Sequence, residues 1–222
     1  MSLPRSTLLL WLAGLSGLLA IAGNLFALPA LVFAFKPATT LLIIAWAWPR
    51  GADTPTLRRW LRAGLVLSLA GDVFLMWPAG FLPRLVSFLL AHLAYIVAFT
   101  RRTAFAARPS AFAMYGVVAA LLLWQLWPGV PPPLRAPVLA YVVCLASMAA
   151  QAGASWLAAR GGATEPFARS AALGGVLFMT SDTLLAFNKF SAPVPLAALW
   201  ILLTYWVAQG LIARSLRART GP

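Results

Sequence analysis

Long apolar stretches alternate with short polar breaks along almost the whole chain. Clusters of Pro, Gly and Arg divide it into eight segments of about 20 mostly apolar residues, the length at which an α-helix crosses a bilayer. The connections are too short to form a separate soluble domain. The pattern predicts an all-α fold, a polytopic membrane bundle of eight transmembrane helices in one domain, residues 1–222. The predicted spans are roughly 7–23, 29–48, 61–77, 84–100, 110–127, 135–158, 167–187 and 195–213.

The composition supports a membrane protein. The chain is 62% hydrophobic and 9% charged, with a mean hydropathy of +0.88, and a soluble domain of this size cannot cover so much apolar surface. The net charge of +13 is explained by arginines that flank membrane helices, so we expect no nucleic-acid partner. The single Cys144 excludes an internal disulfide framework. The first segment begins like a signal peptide but lacks a convincing cleavage site, which favours a retained helix.

The basic residues are unevenly divided between the two sides of the predicted bundle. One side holds only Arg84, Arg135 and Lys189. Cytoplasmic connections carry the excess of Lys and Arg, so both termini are expected in the cytoplasm. Arginine-rich composition is typical of a GC-rich genome, which suggests a multi-pass protein of a bacterial inner membrane. The predicted cytoplasmic side holds Arg5, Arg50, Arg58, Arg59, Arg62, Arg101, Arg102, Arg108, Arg160, Arg169, Arg214, Arg217 and Arg219.

A shift of the sequence by 110 residues against itself indicates an internal repeat. Leucine and valine matches arise easily by chance in so apolar a sequence and carry little weight. Matches of Asp, Tyr, Pro, Gly and Arg at one offset are more specific. They predict that spans three and four correspond to spans seven and eight, as a parallel four-plus-four repeat. The matched pairs are Asp72 with Asp182, Arg59 with Arg169, Gly64 with Gly174, Pro83 with Pro193, and Tyr95 with Tyr205.

Two of the four acidic residues lie inside apolar runs. Asp72 is set in LVLSLAGDVFLMW and Asp182 in GGVLFMTSDTLLAF. An ionisable side chain at the centre of a membrane helix costs about 2.5–3.5 kcal/mol on insertion scales, and such residues normally face the interior of a bundle. We therefore expect both aspartates to point inward, at a site or along a pathway.

Five further polar residues fall at a comparable depth. Lys36 opens the KPATT stretch of the second span. His92 and Tyr95 are three residues apart, and Tyr205 and Gln209 are four apart, so each pair shares one helix face. The simplest arrangement turns these faces inward around one polar cavity that also contains the aspartates.

Ordinary structural roles compete with this interpretation. Lys36 would snorkel to the outer interface if it lay on the lipid-facing side. His92 would be a buried, hydrogen-bonded imidazole without chemistry, and Tyr95 and Tyr205 would belong to an interfacial aromatic belt. As a separate alternative, the aspartates would form structural pairs with Lys36 or His92.

Several polar motifs within the predicted spans resemble one known family. KPATT, SLAGDVFLM, FLLAHLAYIVAF, SMAAQA, FMTSDTLLAFNKF and YWVAQGLIA occur in the order seen in the YhhN/TMEM86 family of membrane proteins. The resemblance runs from the second span to the end of the chain. It implies eight spans and a lysoplasmalogenase activity, which hydrolyses the vinyl ether of a lysoplasmalogen to a fatty aldehyde and a glycerophospho-alcohol. It also implies a role for Asp72 and Asp182.

The residues suit this chemistry. Vinyl ether hydrolysis requires an acid that protonates carbon and a negative charge that stabilises the oxocarbenium ion. Two buried carboxyls can divide these tasks, one protonated and the other ionised, as in glycosidases. We predict Asp72 and Asp182 as the acid–base pair, in either order, acting on a single-chain lysophospholipid that enters from the bilayer. Supporting roles are predicted for Tyr95, Tyr205 and Gln209 around the carboxyls, His92 as proton carrier, and Lys36 as partner of the phosphate or of a carboxylate.

Other functions fit parts of the pattern. Buried Asp, His and Tyr side chains with a repeat also suit a small proton-coupled transporter. A metal-dependent lipid hydrolase is disfavoured, because His92 and two aspartates make a poor zinc set. We accordingly expect no metal and no cofactor. The sequence lacks the G-x-S-x-G elbow expected of a serine hydrolase. A non-enzymatic lipid-binding scaffold would leave the two buried aspartates unexplained.

Overall fold

The structure is a computed structural model that describes residues 4–77 and 80–218. Arg219, counted above on the cytoplasmic side, lies outside these residues, as do the ends of the predicted domain 1–222. The described residues contain no β-strand, and their short 3₁₀ turns are Trp127–Gly129 and Pro132–Leu134. The α-helices are α1 (Arg5–Leu25), α2 (Pro29–Ala47), α3 (Pro55–Phe74), α4 (Phe81–Phe99), α5 (Pro109–Leu126), α6 (Arg135–Ala159), α7 (Glu165–Phe190) and α8 (Ala197–Arg214).

Each predicted segment corresponds to one of these helices. The largest difference is at α3, which begins at Pro55 rather than near residue 61 and ends at Phe74. Proline also occupies the first turn of α2 and α5, as Pro29 and Pro109. A proline is favourable there because its fixed φ matches the helix and its missing N–H would have no partner in the first turn.

Seven of the helices in the described ranges are long and apolar enough to cross a membrane. The exception is α3, whose first half holds Arg58, Arg59 and Arg62 and whose last turn holds Asp72. These four charges lower its hydropathy although its length suffices. The protein is therefore an all-helical, multi-pass membrane protein.

Helices that follow each other in the chain form the main packing pairs, α1 with α2, α3 with α4, and α7 with α8. In addition, α8 packs against α1, α2 and α3, and α6 packs against α4, whereas α5 lies outside, mainly against α6. Close approach of α3 to α4 requires Gly64, because a Cβ at this position would lie 2.2 Å from a ring carbon of Tyr95. The interior faces of α4, α7 and α8 are the scaffold of the polar site.

Candidate active site

All seven residues predicted for the site lie inside the bundle. The inward orientation predicted for the His92–Tyr95 face of α4 and the Tyr205–Gln209 face of α8 is confirmed. Lys36 is only 5% exposed, so the interpretation as a snorkelling residue is wrong. Asp72 and Asp182, at 2% and 9% exposure, are buried as well. The buried residues are Lys36, Asp72, His92, Tyr95, Asp182, Tyr205 and Gln209.

Asp72 accepts hydrogen bonds from two neighbouring helices. The Thr40 hydroxyl of α2 donates to Oδ2 at 2.6 Å, and the Tyr205 hydroxyl of α8 donates to the same oxygen at 2.8 Å. Trp206 Nε1 donates to the Thr40 hydroxyl at 3.2 Å, which fixes that donor. Lys36 is the cation that acts most strongly on this carboxylate. The Asp72 side chain thereby ties α2, α3 and α8 together.

Asp182 lies in a second polar set, formed by α4, α6 and α7. Arg84 Nη2 lies 3.5 Å from Asp182 Oδ1. The Tyr141 hydroxyl donates a hydrogen bond to Oδ2. His92 Nε2 lies 3.8 Å from that oxygen and 3.1 Å from the Tyr141 hydroxyl. The carboxylate therefore has a guanidinium, a phenol and an imidazole around it, which is a set that can hold and transfer a proton.

Aromatic rings separate the two aspartates. The ring of Phe178 lies 4.7 Å from that of His92 and 5.5 Å from that of Tyr205, between centroids. Phe88 packs edge-on against both Phe178 and Tyr205. In residues 4–77 and 80–218, no hydrogen bond or ion pair connects the two carboxylates. The interior is thus divided, whereas the sequence predicted a single polar cavity. Arg84 pairs with Asp182 and acts only electrostatically on Asp72, less strongly than Lys36 does.

Tyr95 and Gln209 form a third set, which adjoins Tyr205 and donates no hydrogen bond to either carboxylate among the described residues. The Tyr95 hydroxyl donates to Gln209 Oε1 at 2.8 Å and lies 3.4 Å from the Ser68 hydroxyl. Gln209 Nε2 is buried and has no hydrogen-bond partner in the described part of the chain. This set joins α3, α4 and α8, and its contacts are those of a structural network.

An apolar pocket of about 60 Å³ adjoins Asp182. Arg84, Tyr141 and Asp182 lie at its polar end, and Lys189, which is exposed, also lines it. Asp72 is not part of this lining. A cavity of this volume admits only a few carbon atoms, so a longer hydrocarbon chain in it would continue along the lipid-facing surface of the bundle. The apolar walls include Leu85, Leu122, Val142, Leu145 and Met179.

The sequence analysis missed Arg84, Tyr141 and Thr40. Arg84 was counted among the charges that flank the spans, because it is only three residues inside α4, yet it is 4% exposed. Its position directly after Pro83, inside a mostly apolar segment, was the feature of the sequence that could have indicated its burial. Tyr141 has no polar residue three or four positions away on α6 that would mark a polar face. Thr40, inside the KPATT motif, was quoted but given no role.

Comparison with known proteins identifies related sequences. The sequence model of the YhhN family matches residues 31–216. A pig protein named lysoplasmalogenase TMEM86B is 37% identical over 70% of this chain and 62% of its own length. The human protein of the same name is 35% identical over 81% of this chain and 73% of its own. A Mycobacterium bovis lysoplasmalogenase is 35% identical over 81% and 67%. The chain thus spans less than two thirds of the pig relative. No solved structure matches it.

Proposed function

This chain belongs to the YhhN family, and from that membership we propose that it is a lysoplasmalogenase, an ether hydrolase of the membrane. Its substrate is a lysophospholipid whose single chain is attached to glycerol by a vinyl ether. The products are a fatty aldehyde and a glycerophospho-alcohol. Relatives that share most of the chain bear this name. The observation that carries the proposal is the buried set of Asp182, Arg84 and Tyr141 at the polar end of an apolar pocket.

The reaction requires a proton donor next to carbon. A proton is added to the alkene carbon remote from the ether oxygen, and the adjacent carbon becomes part of an oxocarbenium ion. Water attacks that carbon and gives up a proton, and the hemiacetal collapses to the aldehyde and the glycerol hydroxyl. Glycosidases pass through a similar cation with two carboxyl groups, one acting as acid and the other as base or nucleophile.

Asp72 and Asp182 are the two carboxyls in this proposal, and their positions relative to the pocket differ. Asp182 lines the pocket and contacts the vinyl ether. Asp72 is separated from the pocket and acts on it only electrostatically; Arg84, the partner of Asp182, acts on Asp72 as well, less strongly than Lys36 does. His92 lies 3.8 Å from Asp182 and 3.1 Å from the Tyr141 hydroxyl, which suits it to carry a proton between them and water.

The other predicted site residues support the aspartates in different ways. Tyr205 orients Asp72 through its hydroxyl. Lys36 is buried and electrostatically coupled to Asp72, which favours it as the partner of a carboxylate rather than of the substrate phosphate. Tyr95 and Gln209 hold α4 against α8 and keep the catalytic helices in register.

The substrate lies with its polar head toward Lys189 and its chain in the bilayer. Lys189 is exposed and lines the pocket, so its ammonium group is available to the phosphate, whereas Arg84 stays paired with Asp182. Asp182 is eight residues before the end of α7, about 12 Å from that end. The vinyl ether is at the head of the chain, next to glycerol. A head held at the end of α7 therefore brings the vinyl ether to the depth of Asp182.

The chain is a single membrane domain of eight spans, α3 included, with both termini in the cytoplasm of a bacterial cell. Contacts among the arginine-rich connections support this topology. Arg50 and Arg102 donate hydrogen bonds to the carbonyls of Leu216 and Ser215, respectively. Three segments, one after α2, one after α4 and one after α8, therefore meet at the same end of the bundle. The positive-inside rule assigns that end to the cytoplasm.

The four-plus-four repeat is supported by how the matched residues pack. The most extensive helix contacts are those of α3 with α4 and of α7 with α8. Gly64 lies against Tyr95 of α4, and the matching Gly174 lies against Ala208 and Ile212 of α8. Each glycine thus lets its partner helix approach closely. The repeat accounts for one aspartate in each half.

Aldehyde release by the purified protein in detergent tests the activity. We expect release from lysoplasmenylethanolamine and none from an ester lysolipid of the same chain length. Turnover should be slower in D₂O, because proton transfer to carbon limits the rate. No release from any vinyl ether substrate, with proton-dependent uptake in vesicles instead, would favour the transporter. The metal-hydrolase alternative requires three or more converging His, Cys, Asp or Glu side chains, and the described residues form no such group.

A further inference from the structure

A second cavity, of about 640 Å³, lies at the other end of the bundle from the Asp182 pocket. It is bounded by the start of α3, the connection after α4, the end of α6, the start of α7 and the segment after α8. Arg84, which lines the Asp182 pocket, lies near the start of α4, whereas Arg102, which lines this cavity, follows the last residue of that helix. The proposed hydrolysis assigns no role to this cavity.

Its lining is strongly basic. Arg101, Arg102 and Arg217 contribute guanidinium groups, and Asp53 is the carboxylate among the lining residues. Asp53 Oδ2 lies 3.7 Å from Arg217 Nη1, and both side chains are about half exposed. The two remaining arginines form no ion pair among the described residues, although Asp53 acts on Arg102 electrostatically, and the cavity holds an excess of positive charge.

Two buried donors in the lining are unused. Ser215 is 1% exposed, and its hydroxyl has no hydrogen-bond partner among the described residues. Arg102 Nη2 donates to the Ser215 carbonyl at 2.5 Å, whereas its buried Nη1 has no partner in the same residues. Burial lowers the pKa of Arg102 to about 10, with Asp53 opposing the shift. A buried donor without a partner costs free energy, so these groups fit a site that a ligand completes.

The start of α3 adds backbone donors to the same cavity. Thr54 precedes the helix, and no side chain caps it. Thr56 and Leu57, which line the cavity, have N–H groups in the first turn that find no acceptor in the described residues. Free N–H groups and the positive end of the helix dipole favour an anion at this position.

Arginines at the cytoplasmic ends of membrane helices are ordinarily solvated and serve topology alone. Arg108, which is exposed and lines none of the pockets described here, fits that description. Arg102 and Ser215 do not, because their polar atoms are buried against a cavity. We propose that this cavity binds a phosphate group, held by Arg101, Arg102 and Ser215 and by the first turn of α3. Guanidinium and N–H donors from several directions match the oxygens of phosphate, whether it is a free ion or the head group of an anionic lipid.

Native mass spectrometry of the purified protein tests this site with two probes, inorganic phosphate and phosphatidic acid, and with phosphatidylcholine as the neutral-lipid comparison. We expect one tightly bound phosphate-bearing molecule per chain. Arg102→Gln should weaken its binding at least tenfold and Ser215→Ala severalfold. Arg108→Gln, which removes an equal charge outside the cavity, should leave binding unchanged. Aldehyde release by each variant, measured in parallel, separates this site from the proposed activity.

Saturable binding of phosphatidic acid without inorganic phosphate would identify a lipid head group as the ligand, and the reverse result would identify a free phosphate. If Arg102→Gln fails to fold, Arg101→Gln replaces it, because Arg101 is exposed and belongs to the proposed site. Equal binding in the wild type and in all cavity variants, or no binding of either phosphate-bearing probe, would overturn the proposal.

Discussion

Arg84 and Asp182 form a buried ion pair across α4 and α7, with Arg84 Nη2 3.5 Å from Asp182 Oδ1 and side-chain exposures of 5% and 9%. Burial of two charges is expensive, and their mutual attraction offsets that cost only while both are present. Arg84 also acts on Asp72, although less strongly than Lys36 does. Substitution of either residue should therefore affect both the stability of the fold and the proposed chemistry.

Removal of either charge of this pair should destabilise the fold. Arg84→Gln leaves the Asp182 carboxylate buried beside no cation, and the expected loss is about 3–5 kcal/mol in the free energy of unfolding. The double variant Arg84→Gln with Asp182→Asn should recover part of that loss. Chemical denaturation in detergent measures all three variants. Strictly additive losses would show that the two side chains do not interact.

Tyr141 should matter for turnover more than for folding. Tyr141→Phe removes the hydroxyl that donates to Asp182. A hydrogen bond to a charged group contributes about 1.5–3 kcal/mol, so kcat should fall roughly ten- to a hundredfold. Tyr115→Phe is the matched control, since Tyr115 is buried and lies on α5, outside the Asp182 pocket. Equal kcat values for the two variants would remove Tyr141 from the mechanism.

The two tyrosines matched by the repeat should behave differently. Tyr205 donates to Asp72, whereas Tyr95 donates to Gln209. Tyr205→Phe should therefore lower kcat and alter its pH profile, while Tyr95→Phe should lower the thermal midpoint and leave the pH profile of kcat unchanged. Steady-state kinetics between pH 5 and pH 9, together with thermal unfolding, distinguish these outcomes. A change of the pH profile in Tyr95→Phe alone would reverse the assignment.

Close packing of α3 on α4 should make Gly64 intolerant of a side chain. A Cβ at Gly64 would lie 2.2 Å from the Tyr95 ring, which Gln209 holds in place. Gly64→Ala should therefore cost about 1–3 kcal/mol, the usual range for overpacking. Gly14→Ala in α1, where a Cβ meets nothing within 4 Å, should be neutral or slightly stabilising. Similar thermal midpoints for the two variants would contradict the close contact between α3 and α4.

The helices and the burial of the aspartates were predictable from the sequence because both follow from local chemistry. A run of about 20 apolar residues forms a membrane helix whatever surrounds it, and a charge within such a run avoids lipid. The partners of the aspartates depend on tertiary packing. Arg84 resembles a flanking charge in the sequence, and only the approach of α4 to α7 brings it to Asp182.

The separation of the interior into distinct polar sets could not be predicted from the sequence either. Phe88 and Phe178 look like ordinary apolar positions, and nothing in their spacing shows that their rings separate the two polar sets. That arrangement depends on how α4, α7 and α8 cross. The inward faces of α4 and α8 could therefore be predicted, while their grouping into separate sets could not.

Aldehyde release from lysoplasmenylethanolamine by Asp72→Asn and Asp182→Asn, compared with the exposed-loop control Asp53→Asn, tests the central claim most directly. The proposed chemistry predicts that kcat falls at least about a hundredfold in Asp182→Asn, the lower range for general acid–base catalysis, and that it also falls, by a smaller factor, in Asp72→Asn. It also predicts unchanged release in the loop variant. Each protein must first be shown to be folded by its thermal transition. Release at the wild-type rate from a folded Asp182→Asn protein would contradict the claim that the buried carboxyls carry the hydrolysis.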